Sequence, residues 1–289
     1  MVDAWKIEKL SLVDLAAGKE MPFSWFDGSA VIFRVFAFFL AWIVLWLPLA
    51  VPLAVGLQWR PTQPLEMAKK LPLLASLYAV VPFVLWGAAQ IEGIPLSSYG
   101  LSSKFSVLSS LSMGLGLGIL GLTLLFGIQL SLGWSQWQPS QSQPLRWTLM
   151  LTLGLALFVS FIEEWIFRGF LVNQLLDAYS IWVSAFVSSL IFALLHLVWE
   201  GQATVPQLPG LWLMGMVLFL ARWVDGGSLG LAWGLHAGWI WGIASLDTAQ
   251  ILQVTGKGPA WMTGLAGKPL AGVLGLLLLL GTGGTLWYF

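Results

Sequence analysis

LTLGLALFVSFIEEWIFRGFL, residues 151 to 171, decides how this chain must fold. Mostly apolar side chains run to Phe161 and Ile162, then Glu163, Glu164 and Arg168 interrupt, and the apolar pattern resumes. A charged side chain at the centre of a bilayer costs about 2.5–3.5 kcal/mol on insertion scales. A helix carrying three of them must turn them toward other helices or a wet cavity. Glu164 and Arg168 are four apart, so they share a helix face and can pair. Glu163 lies about 100° around the helix from Glu164 and is free to point elsewhere. The only two histidines, His196 and His236, fall in two later apolar stretches. Two readings follow: a structural ion pair with two interhelical histidines, or a catalytic or transport site inside a membrane bundle.

Composition fixes the solvent. Of the 289 residues, 58% are hydrophobic and 9% charged, with mean hydropathy +0.86. A soluble domain carries about 25% charged residues, so lipid must cover much of this surface. The 13 basic and 13 acidic residues cancel, which argues against nucleic acid as a partner. With no cysteine, disulfides, thiolate metal sites and cysteine nucleophiles are excluded. The first 28 residues contain no apolar core resembling a signal peptide.

The expected fold is all-α, a polytopic transmembrane helical bundle of about eight spans. Residues 1–30 read as an amphipathic or surface segment, and 31–289 as the transmembrane helical domain. Since a crossing needs about 20 residues, spans are expected at 31–57, 71–89, 107–130, 149–173, 179–199, 210–223 and 229–246. The eighth, 270–280, is long enough only if 265–269 joins it. Pro48 and Pro52 are expected to bend or end the first span. Gly114 and Gly118 have the small-xxx-small spacing of close helix contacts. Residues 131–146 and 250–268 read as linkers, and 201–209 as a connector. Trp165, Trp199, Trp233, Trp239 and Trp241 read mostly as interfacial belt residues.

A carboxylate kept from bulk water is a credible general base. Glu163 is placed to activate a water for attack on a carbonyl. Glu164, paired with Arg168, suits orientation rather than proton transfer. His196 can share the water or shuttle a proton, and His236 can donate to a developing oxyanion. Phe192 and Ile240, each one helical turn from a histidine, would wall the site. The same groups, Glu163, His196 and His236, are the ligands a divalent metal such as zinc would use. The HExxH spacing is absent, however, and no cofactor is assigned.

Glu163-Glu164-x-x-x-Arg168, Phe192-x-x-x-His196 and then His236 resemble the three motifs of the CAAX-protease and bacteriocin-processing (CPBP, or Abi) family of intramembrane proteases. The likeness is to its CAAX prenyl protease 2 type and covers a core at 149–247. It implies that Glu163 and His196 activate water, that Glu164 and Arg168 support them, and that His236 helps form the oxyanion hole. It also implies glutamate-type rather than metal-dependent chemistry. One departure stands out. The family's third motif usually carries asparagine four residues after the histidine, and this chain has Ile240, which has no side-chain donor.

The leading expectation is an intramembrane endopeptidase acting on a membrane-associated, prenylated or leader peptide. The alternative is a catalytically weak or inactive scaffold or assembly factor for an integral membrane protein complex. A transporter ranks third, because neither inverted repeats nor paired broken helices are evident. The expected setting is a prokaryotic inner or internal membrane, crossed several times.

Overall fold

The computed structural model describes residues 25–59, 67–101, 106–138 and 144–288. Eight long helices dominate it: α1 (Trp25–Gly56), α2 (Met67–Glu92), α3 (Ser106–Ser131), α4 (continuous from Leu145 to Leu176), α5 (Ile181–Glu200), α6 (Leu208–Val224), α7 (Gly230–Ala249) and α8 (Val273–Trp287). The chain is a polytopic integral-membrane protein. Six of the helices, α1 to α6, are long and apolar enough to cross a bilayer, α6 with the 3-10 turn Gly201–Gln207 that leads into it.

Six is fewer than the eight expected, and the two that fall short do so for different reasons. Helix α8 has 15 residues and reaches about 22 Å at 1.5 Å per residue, against a hydrocarbon core of about 30 Å. Helix α7 has 20 residues, but glycines, tryptophans, His236 and Asp247 dilute its hydropathy. It faces protein rather than lipid along much of its length, so its sequence need not look like a lipid-facing span.

Other expectations also change. Pro48 and Pro52 lie inside α1, which continues to Gly56; transmembrane helices absorb such breaks when neighbours satisfy the freed carbonyls. The connector at 201–209 is helical. The linkers at 131–146 and 250–268 contribute strands β1 (Ser135–Trp137) and β2 (Leu252–Val254), which pair antiparallel. Of the surface segment expected at 1–30, residues 1–24 lie outside the described residues, and α1 begins at Trp25.

The α3–α7 seam sets the core. A Cβ at Gly114 would sit 2.3 Å from the Leu231 carbonyl oxygen, and one at Gly234 would sit 2.0 Å from that of Leu111. Gly118 and Gly238 continue the contact one turn on. The glycine spacing seen in α3 therefore has a matching stripe on α7, and only bare backbones fit. His236, two residues after Gly234, is about 200° around α7 from it and is turned toward α4.

Helix α7 is pinned to α4 along its other face. The indole N–H groups of Trp233 and Trp241 donate to the carbonyls of Leu157 and Leu149, both at 2.9 Å. The hydroxyls of Thr152 and Ser245 meet at 2.7 Å. Trp165 and Trp239 are buried. These four tryptophans therefore belong to the bundle interior or its seams rather than to an interfacial belt.

Candidate active site

Helix α4 changes pitch just after its acidic pair. Residues Trp165–Leu171 form a π-helical stretch in which the Val172 N–H reaches back five residues to the Phe167 carbonyl. Such stretches are rare and are frequent at functional sites. Gly169 lets the turn Leu96–Tyr99 come close, since a Cβ there would lie 2.6 Å from the Tyr99 carbonyl oxygen. Asn173 then donates to the Ser98 carbonyl at 2.9 Å. Burial first, and the nearby Glu92 carboxylate second, push the Tyr99 phenol above its ordinary range, so that it stays protonated.

All three charged side chains of this stretch point into the protein. Glu164 and Arg168 are buried, and Glu163 is 8% exposed. Arg168 donates through one terminal nitrogen to Glu164 Oε1 at 3.0 Å. That oxygen accepts a second bond, from His236 Nδ1 at 2.8 Å. Because a carboxylate accepts, His236 carries its proton on Nδ1 and turns Nε2 toward Glu163, whose Oε2 lies 3.7 Å away. Glu164 thus serves two partners. It was expected to serve Arg168 alone.

Tyr78, from α2, completes the cluster. Its hydroxyl donates to Glu163 Oε1 in a short hydrogen bond. Sequence reasoning missed this residue, because one tyrosine among apolar neighbours reads as a core aromatic. A signal was available: the phenol lies mid-span, far from the interface, where its O–H must find a partner.

Phe192 packs against Arg168, His236 and His196. The Arg168 guanidinium sits 4.4 Å from the centre of its ring, a cation–π contact that offsets part of the cost of burying the charge. The same ring meets His236 edge-on at 5.9 Å and His196 at 4.8 Å. His196 donates from Nδ1 to the Phe192 carbonyl at 2.9 Å, which leaves Nε2 as an acceptor. No hydrogen bond or ion pair joins His196 to Glu163 among the described residues. Ile240 is half-buried one turn after His236 and adds no polar group.

Two polar helix ends hold this arrangement in place. Arg222, buried at the end of α6, donates to Asn173 Oδ1 and to the Gly227 carbonyl, both at 3.0 Å. Asp225 accepts from the Ser110 hydroxyl at 2.7 Å and from the Leu231 N–H at 3.1 Å, tying the start of α7 to α3. For a metal, the donor set does not fit: among the described residues no three His, Asp or Glu side chains gather closely enough to hold an ion.

A protein-family profile described as Rce1-like, type II CAAX prenyl endopeptidase Rce1-like, matches residues 145–242. A CAAX-protease-like domain therefore occupies this part of the chain, from the start of α4 into α7. No curated protein and no solved structure matches the chain.

Proposed function

We propose that the protein is an intramembrane endopeptidase that hydrolyses a peptide bond of a membrane-associated substrate with a glutamate-activated water. The observation that carries this reading is the convergence of Glu163, Glu164, Arg168 and His236 with Tyr78 in one buried polar cluster inside the bundle.

In this scheme a water bound between Glu163 Oε2 and His196 Nε2 gives a proton to Glu163 as its oxygen attacks the carbonyl carbon. The carbonyl π electrons move onto oxygen. His236 stabilises that oxyanion through Nε2–H. Its Nδ1 proton is committed to Glu164, so the ring has to enter the step already protonated on both nitrogens, and it keeps both protons throughout. The proton on Glu163 then passes to the leaving amine as the C–N bond breaks. Substrate classes that fit a pocket at membrane depth are a prenylated C-terminus, a leader peptide and a hydrophobic protein segment.

A scaffold or assembly role is the second reading, and Ile240 is what favours it. Loss of one oxyanion donor costs a protease about 3 kcal/mol, a hundredfold or more in rate. Substrate trapping separates the two readings. Glu163→Gln should fold, retain uncut membrane proteins on purification, and leave their termini intact where the wild type trims them. If Glu163→Gln and His196→Ala both complement a deletion strain fully, the hydrolase is wrong and the scaffold stands.

A further inference from the structure

We infer that Tyr78 is the positioning residue of the base: it fixes which oxygen of Glu163 faces the water. The inference rests on the reading of the site as a hydrolase and deepens it.

Among the described residues Tyr78 is the only hydrogen-bond partner of Glu163, since the His236 contact, at 3.7 Å, is too long for one. Its hydroxyl occupies Oε1 and leaves Oε2 on the His236 side, where the attacking water has to sit. Without the phenol, Glu163 would have no hydrogen-bond donor among the described residues, and nothing would select one of its oxygens over the other.

Tyr78 is itself held in one place. It is 7% exposed, and its ring lies between Trp42 and Phe158, each with its centre 6.4 Å away. The Trp42 indole also donates to the carbonyl of Leu77, the residue before Tyr78, at 2.9 Å. One turn further along α1, Trp46 donates to the Ser76 hydroxyl at 2.9 Å. The α1–α2 hairpin thus grips the segment of α2 that carries the phenol, on both sides of Leu77. These contacts restrict the ring, and with it the direction of the O–H.

The test uses the full chain in proteoliposomes. Isotope-edited infrared spectroscopy follows the carboxylate band that disappears in Glu163→Gln, and needs no substrate. In Tyr78→Phe that band should shift in frequency, as a carboxylate oxygen that has lost its donor requires. Trp42→Phe keeps the phenol but loosens it, and should shift or broaden the band the same way by less; it serves if Tyr78→Phe does not fold. With a trapped substrate in hand, Tyr78→Phe should lower kcat about tenfold or more and leave KM unchanged.

An unchanged infrared band in both variants overturns the inference. So does a wild-type kcat in Tyr78→Phe, and in that case the endopeptidase reading survives. A wild-type chain that cleaves nothing, while Tyr78→Phe still shifts the band, sinks the endopeptidase and leaves the Tyr78–Glu163 coupling standing.

Discussion

Glu164 is the side chain on which most of the site's polar order converges. Its Oε1 balances Arg168 and fixes the His236 tautomer at once. An amide there does neither: it leaves a buried guanidinium without its counter-charge, a loss of about 3–5 kcal/mol, and it no longer dictates which ring nitrogen of His236 carries the proton. Glu164→Gln should therefore lower thermal stability in detergent and, per folded molecule, cut peptide cleavage about a hundredfold or more. Activity per folded molecule, after separation by gel filtration, distinguishes this from a purely structural role, in which the molecules that fold would cleave normally. Ile240 offers the opposite experiment. Ile240→Asn puts a donor one turn from His236, and turnover should rise, by at most the roughly hundredfold that one oxyanion donor is worth. No gain would mean that the oxyanion forms out of reach of this turn of α7. Glu163, Glu164 and Arg168 were legible because charge at membrane depth is costly and has few explanations. Tyr78 was hidden because its ring satisfies the apolar pattern and only its oxygen carries information.

Helices decide where those side chains meet, and two local features matter most. The π-helical stretch of α4 begins directly after Glu164 and holds Arg168, so the acidic pair sits where helical pitch changes. The glycine seam between α3 and α7 then fixes the depth and rotation of His236. Gly234→Ala puts a methyl 2.0 Å from the Leu111 carbonyl oxygen, and backbone cannot yield as a flexible side chain would. The helices must part, at a cost of about 1–3 kcal/mol typical of overpacking. Gly116→Ala is the control, because nothing lies within 4 Å of its added Cβ. A lower melting temperature and lost activity in Gly234→Ala, with both intact in Gly116→Ala, is the expected pair of results. Half of this seam could be read from Gly114 and Gly118. The other half could not, since spacing along one helix names no partner. The same blindness explains the span count, because hydropathy scores a helix as if lipid surrounded it.

Across the whole molecule, long-range contacts sort the helix ends into two layers. One layer joins Arg34 to Asp177 at 2.9 Å, Asn173 to the Ser98 carbonyl, the Leu229 N–H to the Gly100 carbonyl, and Trp182 to both Trp223 and Trp287. Those positions are the start of α1, the α2–α3 turn, the α4–α5 turn, the α6–α7 turn and the end of α8. The other layer contains β1 after α3 and β2 after α7. Successive helices must therefore run in alternating directions. Tyr78 and Glu163 lie 14 and 13 residues from Glu92 and Leu176, the ends of their helices in the first layer, or about 20 Å in each case. The polar cluster, the pocket of the proposed function, is accordingly deep. Because the chain has no cysteine, single introduced thiols report the two layers cleanly. Ser97→Cys and Ser180→Cys, both at exposed positions of the first layer, should react with a membrane-impermeant maleimide from one side of sealed vesicles. Gln136→Cys and Gln253→Cys, exposed on the paired strands, should react only from the other side. If all four thiols label from the same side, the alternating path is wrong, and the depth assigned to the pocket goes with it.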